Sequence, residues 1–321
     1  MRTLRFLLLL AACFAAGAQA QAWPVKPVRI VVAYPPGGGI DVMARQIADR
    51  LGAAWGQPVV VENKPGANTI VAADAVAKSA PDGYTVLMTT DATFSINPHL
   101  YARLPYDAQR DFIPVTMLVL LQQMLVAHPS LPANTLEELI KLARAKPGSI
   151  NYASYGSGSQ PHLAGEMLKN KAGIDLVHVP YKGISLAVPA VIAGEVQLTF
   201  AGIATSMPQL KSGRIKALAT GGAARSPLLP LIPTFAELGY PEVETHAWFG
   251  LFVPAGSPGE AVGRIHQDTN KAINESDFRQ RQLVEKGYEV VGSSPQDFVI
   301  YLRKDSESRG RAVKISGAKA E

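Results

Sequence analysis

Seven short apolar runs set the limits on what this chain can fold into. They fall at residues 28–33, 59–61, 85–88, 150–153, 176–179, 196–200 and 215–219. Amphipathic segments separate them, and several carry apolar residues one helical turn apart. Met43, Ile47 and Leu51 make one such stripe. Leu136, Leu139, Ile140 and Ala143 make another, after Asn134 with Glu137 three residues on as a capping box. A last helix is predicted to open at Ser294-Pro295 and to run through Phe298, Tyr301 and Leu302, with residues 316–321 as a frayed tail. Strands alternating with helices predict an α/β fold with a parallel or mixed sheet, and place ligands at the carboxyl ends of the strands.

Two longer apolar stretches break this rhythm, at residues 112–127 and at 243–253, the latter bearing Trp248 and Phe249. Neither has a clean 3.6 period. Extended segments that leave one sheet and enter a second explain both. The expected division is a discontinuous first domain, residues 23–123 plus 245–321, and a second domain, 124–244. A chain that crosses twice makes a hinge between two lobes.

The N-terminus reads as an export signal. Arg2 and Arg5 precede an apolar stretch at residues 6–16, and Ala18-Gln19-Ala20 offers a small-x-small cleavage site at residues 1–20. Leu10-Ala11-Ala12-Cys13 also fits a lipoprotein box, which leaves lipidation of Cys13 as the alternative. Cleavage at Ala20 removes the single cysteine, and with it any disulfide, thiol nucleophile or cysteine metal site. With Arg2 and Arg5 gone, 31 basic residues fall to 29 against 26 acidic ones, a net charge of +3. That excess is spread without a basic block, so nucleic acid is not an expected partner. The chain reads as a monomer of the periplasmic space.

Residues 28–41 combine a strand, a proline-glycine turn and a helix start near Asp41. Bare backbone N–H groups at a helix N-terminus attract an anion. No Gly-Lys-Ser/Thr follows, so this is not a nucleotide loop. Residues 151–166 repeat the pattern, a strand ending in a Gly/Ser turn with Ser154, Ser157, Gly158 and Ser159 before a second helix. It is not a nucleophile elbow. His162 and Glu166 share a helix face but lack the further ligands a metal needs. Thr90 and Asp91 follow the third strand and should reach the same cleft, and Tyr181 follows another strand and can wall it. Asp91 is awkward beside a carboxylate unless it meets an amine, a water or a protonated partner.

These residues sit within strings that resemble one family. The strings include Tyr34-Pro35-Pro36-Gly37-Gly38 with Asp41, Val61-Glu62-Asn63-Lys64-Pro65-Gly66-Ala67 and Ala80-Pro81-Asp82-Gly83-Tyr84-Thr85. Asn97-Pro98-His99-Leu100-Tyr101, Val179-Pro180-Tyr181-Lys182-Gly183 and Trp248-Phe249-Gly250-Leu251-Phe252-Val253-Pro254-Ala255 continue the series. In this order they resemble the substrate-binding proteins of the tripartite tricarboxylate transporter system, the Bug family. The resemblance implies an α/β, two-lobed periplasmic-binding-protein fold (type II-like), with two crossover strands, a ligand cleft and closure on the ligand. It also implies a small carboxylate held by backbone amides and bridging waters, membrane transporter subunits as partners, and no catalysis, cofactor or metal.

Carried onto this chain, the resemblance gives a candidate site of Tyr34, Gly38, Gly39, Ile40, Asp41, Thr90 and Asp91 from the first lobe. Ser154, Gly158, Ser159, His162, Tyr181 and Gly202 face them from the second. Two departures matter: Asn68-Thr69-Ile70 stands where the family often has glycines, and Asp91 stands where it has small neutral residues. The ligand therefore stays open among di- or tricarboxylates, amino acids and aromatic acids. A sensor subunit sharing the same cleft, or an exported hydrolase, are the alternatives.

Overall fold

The computed structural model describes residues 23–222, 224–243 and 245–318, save the side chains at 204 and 205. The export signal, its cleavage site and Cys13 lie outside the described residues. All seven apolar runs are strands, each within two residues of its expected bounds. They are β1 (Val28–Val32), β2 (Val59–Asn63), β3 (Thr85–Thr90), β5 (Asn151–Ser154), β6 (Val177–Pro180), β7 (Leu198–Gly202) and β8 (Lys216–Thr220). The two long stretches are strands as well, β4 (Phe112–Ala127) and β9 (His246–Pro254), and a short β10 (Tyr288–Val290) follows.

The strand order is β2-β1-β3-β9-β4-β7-β5-β6, with β8 and β10 also paired to β4. β1 runs parallel to β2 and β3, and β5 runs parallel to β6 and β7, as helical crossovers require. β9 is antiparallel to both β3 and β4. β4 serves both halves: residues 112–122 pair with β9, while 123–127 pair with β7 and β8.

The apolar runs are continuous rather than alternating because both faces of each half-sheet are covered. In β1, Ile30 and Val32 join one cluster with Ile47 and Leu51, while Val31 packs on the opposite face with Leu87, Trp248 and Phe298. The second half repeats this. Leu125, Tyr152 and Phe200 face one way, and Met124, Ala153 and Ala201 the other. Across the seam between the lobes, Leu163 packs with Ile96 and Val313.

Two helix starts differ from expectation. The first helix, Gly39–Trp55, begins two residues before Asp41. The helix Leu136–Ala145 is capped by Thr135, not Asn134. The Thr135 hydroxyl accepts from the Glu138 amide at 3.1 Å, and Glu138 Oε2 accepts from the Asn134 amide at 2.6 Å. The capping box is thus displaced by one residue, because Thr135 is the extended residue whose oxygen reaches the third helical N–H. The helix Pro295–Ser316 opens as expected, with Ser294 accepting from the Asp297 amide.

Candidate functional site

Four helices begin at one place between the lobes. Gly38 caps Gly39–Trp55, Ser159 caps Gln160–Ala172, Gly183 caps Ile184–Ala193 and Gly202 caps Ile203–Lys211. None of the four caps supplies a side-chain hydrogen bond to its helix. A helix leaves its first N–H groups without intrahelical partners and carries a partial positive charge at that end. All four caps line one cavity of about 70 Å³. Much of its remaining wall is apolar or aromatic, from Ile40, Leu121, Tyr155, Ile184, Ala247 and Phe249, and no lysine or arginine lines it among the described residues. The arrangement can bind an anion through backbone dipoles, beside a surface suited to carbon.

Polar side chains are few and buried. Ser159 Oγ and Gln123 Oε1 reach no hydrogen-bond partner among the described residues. Tyr34 and Thr90 share a hydrogen bond of 3.0 Å, and the Tyr155 hydroxyl donates to Phe200 O at 2.6 Å. Burial pushes both phenols well up, so both rings stay neutral. At the floor, Asp91 is 2% exposed. Burial pushes its carboxyl up to about 7; Arg309 opposes that rise and Asp305 adds to it.

Eight of the thirteen residues expected at the site line the cavity: Tyr34, Gly38, Gly39, Ile40, Thr90, Asp91, Ser159 and Gly202. The other five lie elsewhere. Asp41 turns away and accepts from the Gly37 amide at 2.9 Å, Asn63 Nδ2 at 2.8 Å and Arg45 Nη2 at 2.9 Å. Burial raises its carboxyl, but the bonds from Arg45, Gly37 and Asn63 outweigh this and hold it below the usual carboxylate range. Its place is under the loop, which it ties to β2. His162 and Ser154 likewise brace the second loop from behind. Gly158 N donates to His162 Nδ1 at 2.8 Å, and Ser154 Oγ meets His178 Nε2 at 2.7 Å. The two imidazoles stack at 3.9 Å. Burial, then the neighbouring His162 and Lys169, push His178 down to about 3, so it stays neutral.

Gly158 lies at the seam between the lobes, with its backbone at φ +78° against Leu100. Tyr181 lines an outer space of about 740 Å³ with Asn68, Tyr101 and Lys182. Tyr34, Pro35 and Tyr155 border both spaces and separate them.

Several lining residues are additional to that set: Gln123, Tyr155, Phe249 and Gly183-Ile184-Ser185. Gln122-Gln123 is the polar interruption in the apolar run of β4, which is a legible signal for a buried polar group facing a cavity. The strand-turn-helix pattern at Gly183 is the same one that singled out residues 34–41.

The chain is similar to known proteins over most of its length. A family model described as "TctC: Tripartite tricarboxylate transporter family receptor" matches residues 43–317. Protein BugT of Bordetella pertussis is 35% identical over 282 residues, covering 88% of this chain and 85% of its own. The structure of R. palustris Rpa4515 with adipate superposes with a TM-score of 0.88 at 35% identity, covering 92% of this chain and 99% of that one. MatC (Rpa3494) from Rhodopseudomonas palustris with bound malate gives 0.84 at 30% identity, over 92% and 100% of the two chains.

Proposed function

The chain belongs to the tripartite tricarboxylate transporter receptor family, a family of periplasmic binding proteins rather than catalysts, and from that premise we propose that it captures a small aliphatic carboxylate. The observation that carries this reading is the convergence of four helix N-termini without side-chain caps, one from the first lobe and three from the second, on one cavity that no lysine or arginine lines among the described residues. An oxyanion placed there accepts N–H groups from both lobes at once, so binding and closure of the cleft are one event. The partners that receive the ligand are the membrane subunits of such a transporter.

Size and lining narrow the ligand. A single water needs roughly 10–15 Å³ by this measure, so the inner space admits about five water-sized groups. That is room for a carboxylate and a short carbon stem. Leu121, Ile184, Ala247 and Phe249 suit an alkyl stem, and a third carboxylate set against them would be desolvated without a donor. Two of its relatives carry adipate and malate.

A thermal-shift panel of succinate, adipate, malate, citrate, aspartate and benzoate tests the reading. A ligand at about 100 times its dissociation constant adds roughly 2.7 kcal/mol of stability. The short dicarboxylates should raise the melting temperature by several degrees. A panel in which no acid shifts the transition overturns the proposal.

A further inference from the structure

The floor of the cavity holds a charge imbalance. Among the described residues, Asp91, Asp305 and Arg309 form one buried cluster, each 5% exposed or less, with two carboxyls for one guanidinium. Asp305 is the better compensated of the two. It accepts the Trp248 indole N–H at 2.9 Å and lies 3.4 Å from Arg309 Nε, one helical turn away. Asp91 Oδ2 lies 3.5 Å from Arg309 Nη2, a nitrogen that donates to His246 O at 2.6 Å. Asp91 Oδ2 accepts no hydrogen bond among the described residues. A charge-assisted N–H···O bond is nearer 2.7–2.9 Å. Asp91 is therefore the surplus acid of the cluster, and it is the one that lines the cavity.

The other groups around it do not remove the surplus. From the β1 loop comes the Tyr34 hydroxyl, already bonded to Thr90. From β9 come Trp248 and His246, whose Nε2 is 3.9 Å from Asp305. The N–H of Ala92 donates to Thr90 Oγ1 at 3.3 Å and, with the N–H of Asp91 itself, also faces the Asp91 carboxyl; both oppose the rise without outweighing burial. Across the cavity the second lobe presents Tyr155, Ser159 and Gln160, all uncharged. An ionised Asp91 would set a net negative cluster against an anionic ligand.

We propose that Asp91 engages the ligand as a carboxylic acid, its O–H donating to a ligand carboxylate oxygen, so that capture at neutral or higher pH takes up one proton with the anion. The proton comes from solvent and returns there when the ligand leaves. This rests on the carboxylate-receptor reading above and adds to it a specificity-determining residue and a pH dependence. Burial places the free carboxyl at about 7, and a second anion beside it raises the value further in the complex. Affinity is then flat below pH 7 and falls above it. Linkage gives about tenfold weaker binding at pH 8 than at pH 6.

Isothermal titration of the purified protein with succinate, adipate, malate and aspartate at pH 6 and pH 8, in two buffers of different ionisation enthalpy, tests this. The expected result is uptake of close to one proton at pH 8 and close to none at pH 6. Asp91→Asn keeps a donor but cannot titrate. It should bind equally at both pH values, and more tightly than Asp91→Ala. Binding by wild type without proton uptake at pH 8 overturns the proposal and leaves the receptor reading standing. So does tight binding of aspartate that Asp91→Asn abolishes at pH 6, because Asp91 then acts as an anion toward an ammonium group. Failure of every acid to bind at either pH overturns the receptor reading itself. The wild-type proton count needs no variant, so a poorly folded substitution does not obscure the answer.

Discussion

Asp41→Ala separates a carboxylate that touches ligand from one that builds the loop presenting the ligand's donors. The structure places Asp41 in the second role. Its side chain is 4% exposed and accepts two part-buried bonds, from the Gly37 amide and from Asn63. Bonds to a charged acceptor contribute about 1.5 kcal/mol each at the low end of their range. The Arg45 side chain is 50% exposed, so its pair with Asp41 adds no more than about 0.5 kcal/mol after screening. The total lost is roughly 3 kcal/mol, or about 5 °C in melting temperature for a chain of this length. Asp41→Asn can still accept from Gly37 and should lose about half as much.

The pH dependence gives an independent check. The folded carboxyl lies below its unfolded value, so its contribution is complete above the unfolded pKa and is lost as pH falls through the folded one. The gap between wild type and Asp41→Ala should hold steady from pH 5 to 8 and close below about pH 4. Thermal melts across that range, paired with ligand titrations, measure both. Affinity should fall with stability along the series Asp, Asn, Ala, because a loosened loop no longer holds the amides of Gly38, Gly39 and Ile40 in place. A variant that loses affinity with an unchanged melting temperature would refute the reasoning and return Asp41 to the ligand.

Two further substitutions probe the second lobe. Gly158→Ala forces a side chain onto φ +78° and sets its Cβ 1.8 Å from Leu100 Cδ2 of the opposite lobe, so Leu100 must turn away. The backbone strain is about 1 kcal/mol, and ligand affinity should fall about tenfold as the seam is pushed apart; an unchanged dissociation constant by calorimetry would contradict this. Ser159→Ala removes a buried hydroxyl that has no partner among the described residues, so the unliganded melt should stay level or rise slightly. Ligand binding should weaken by about tenfold, and a variant that binds as wild type does would remove Ser159 from the contact set.

The strands were legible because two-sided burial writes them as uninterrupted apolar runs, and one crossover was legible in β4, whose length carries it from its pairing with β9 to its pairing with β7 and β8, whereas β9 pairs only within the first half-sheet. The loops were legible as loops, since proline and glycine mark where a strand hands over to a helix. Which way a polar side chain turns within a loop was not. Asp41 and His162 stand beside the right glycines, yet each points away from the cavity, because Asn63 and the Gly158 amide offer better partners than open space. Those partners are fixed by tertiary packing, not by spacing. Arg309 was hidden for a related reason. In a helix rich in charged residues it reads as a solvated side chain, and only its docking against His246 and Asp305 makes it 1% exposed.

An anion site made of helix ends behaves differently from one made of arginines. Each N-terminus is worth about 0.3–1 kcal/mol to an exposed charge and up to ~2 kcal/mol when partly buried. The single helix end of the first lobe, Gly39–Trp55, therefore holds a carboxylate only weakly while the cleft is open. On the proposed reading, affinity arrives when the ends at Ser159, Gly183 and Gly202 come to bear and water is excluded as the second lobe closes. A receptor built this way has a large difference in affinity between its open and closed forms, and that difference is what allows a ligand to shift the balance between them. An arginine fork on one lobe would bind tightly in the open form and weaken that coupling. The Arg309 guanidinium is held behind Asp91 and bonded to His246 O, where it offsets buried carboxyls, and Arg309 is not among the residues that line the cavity.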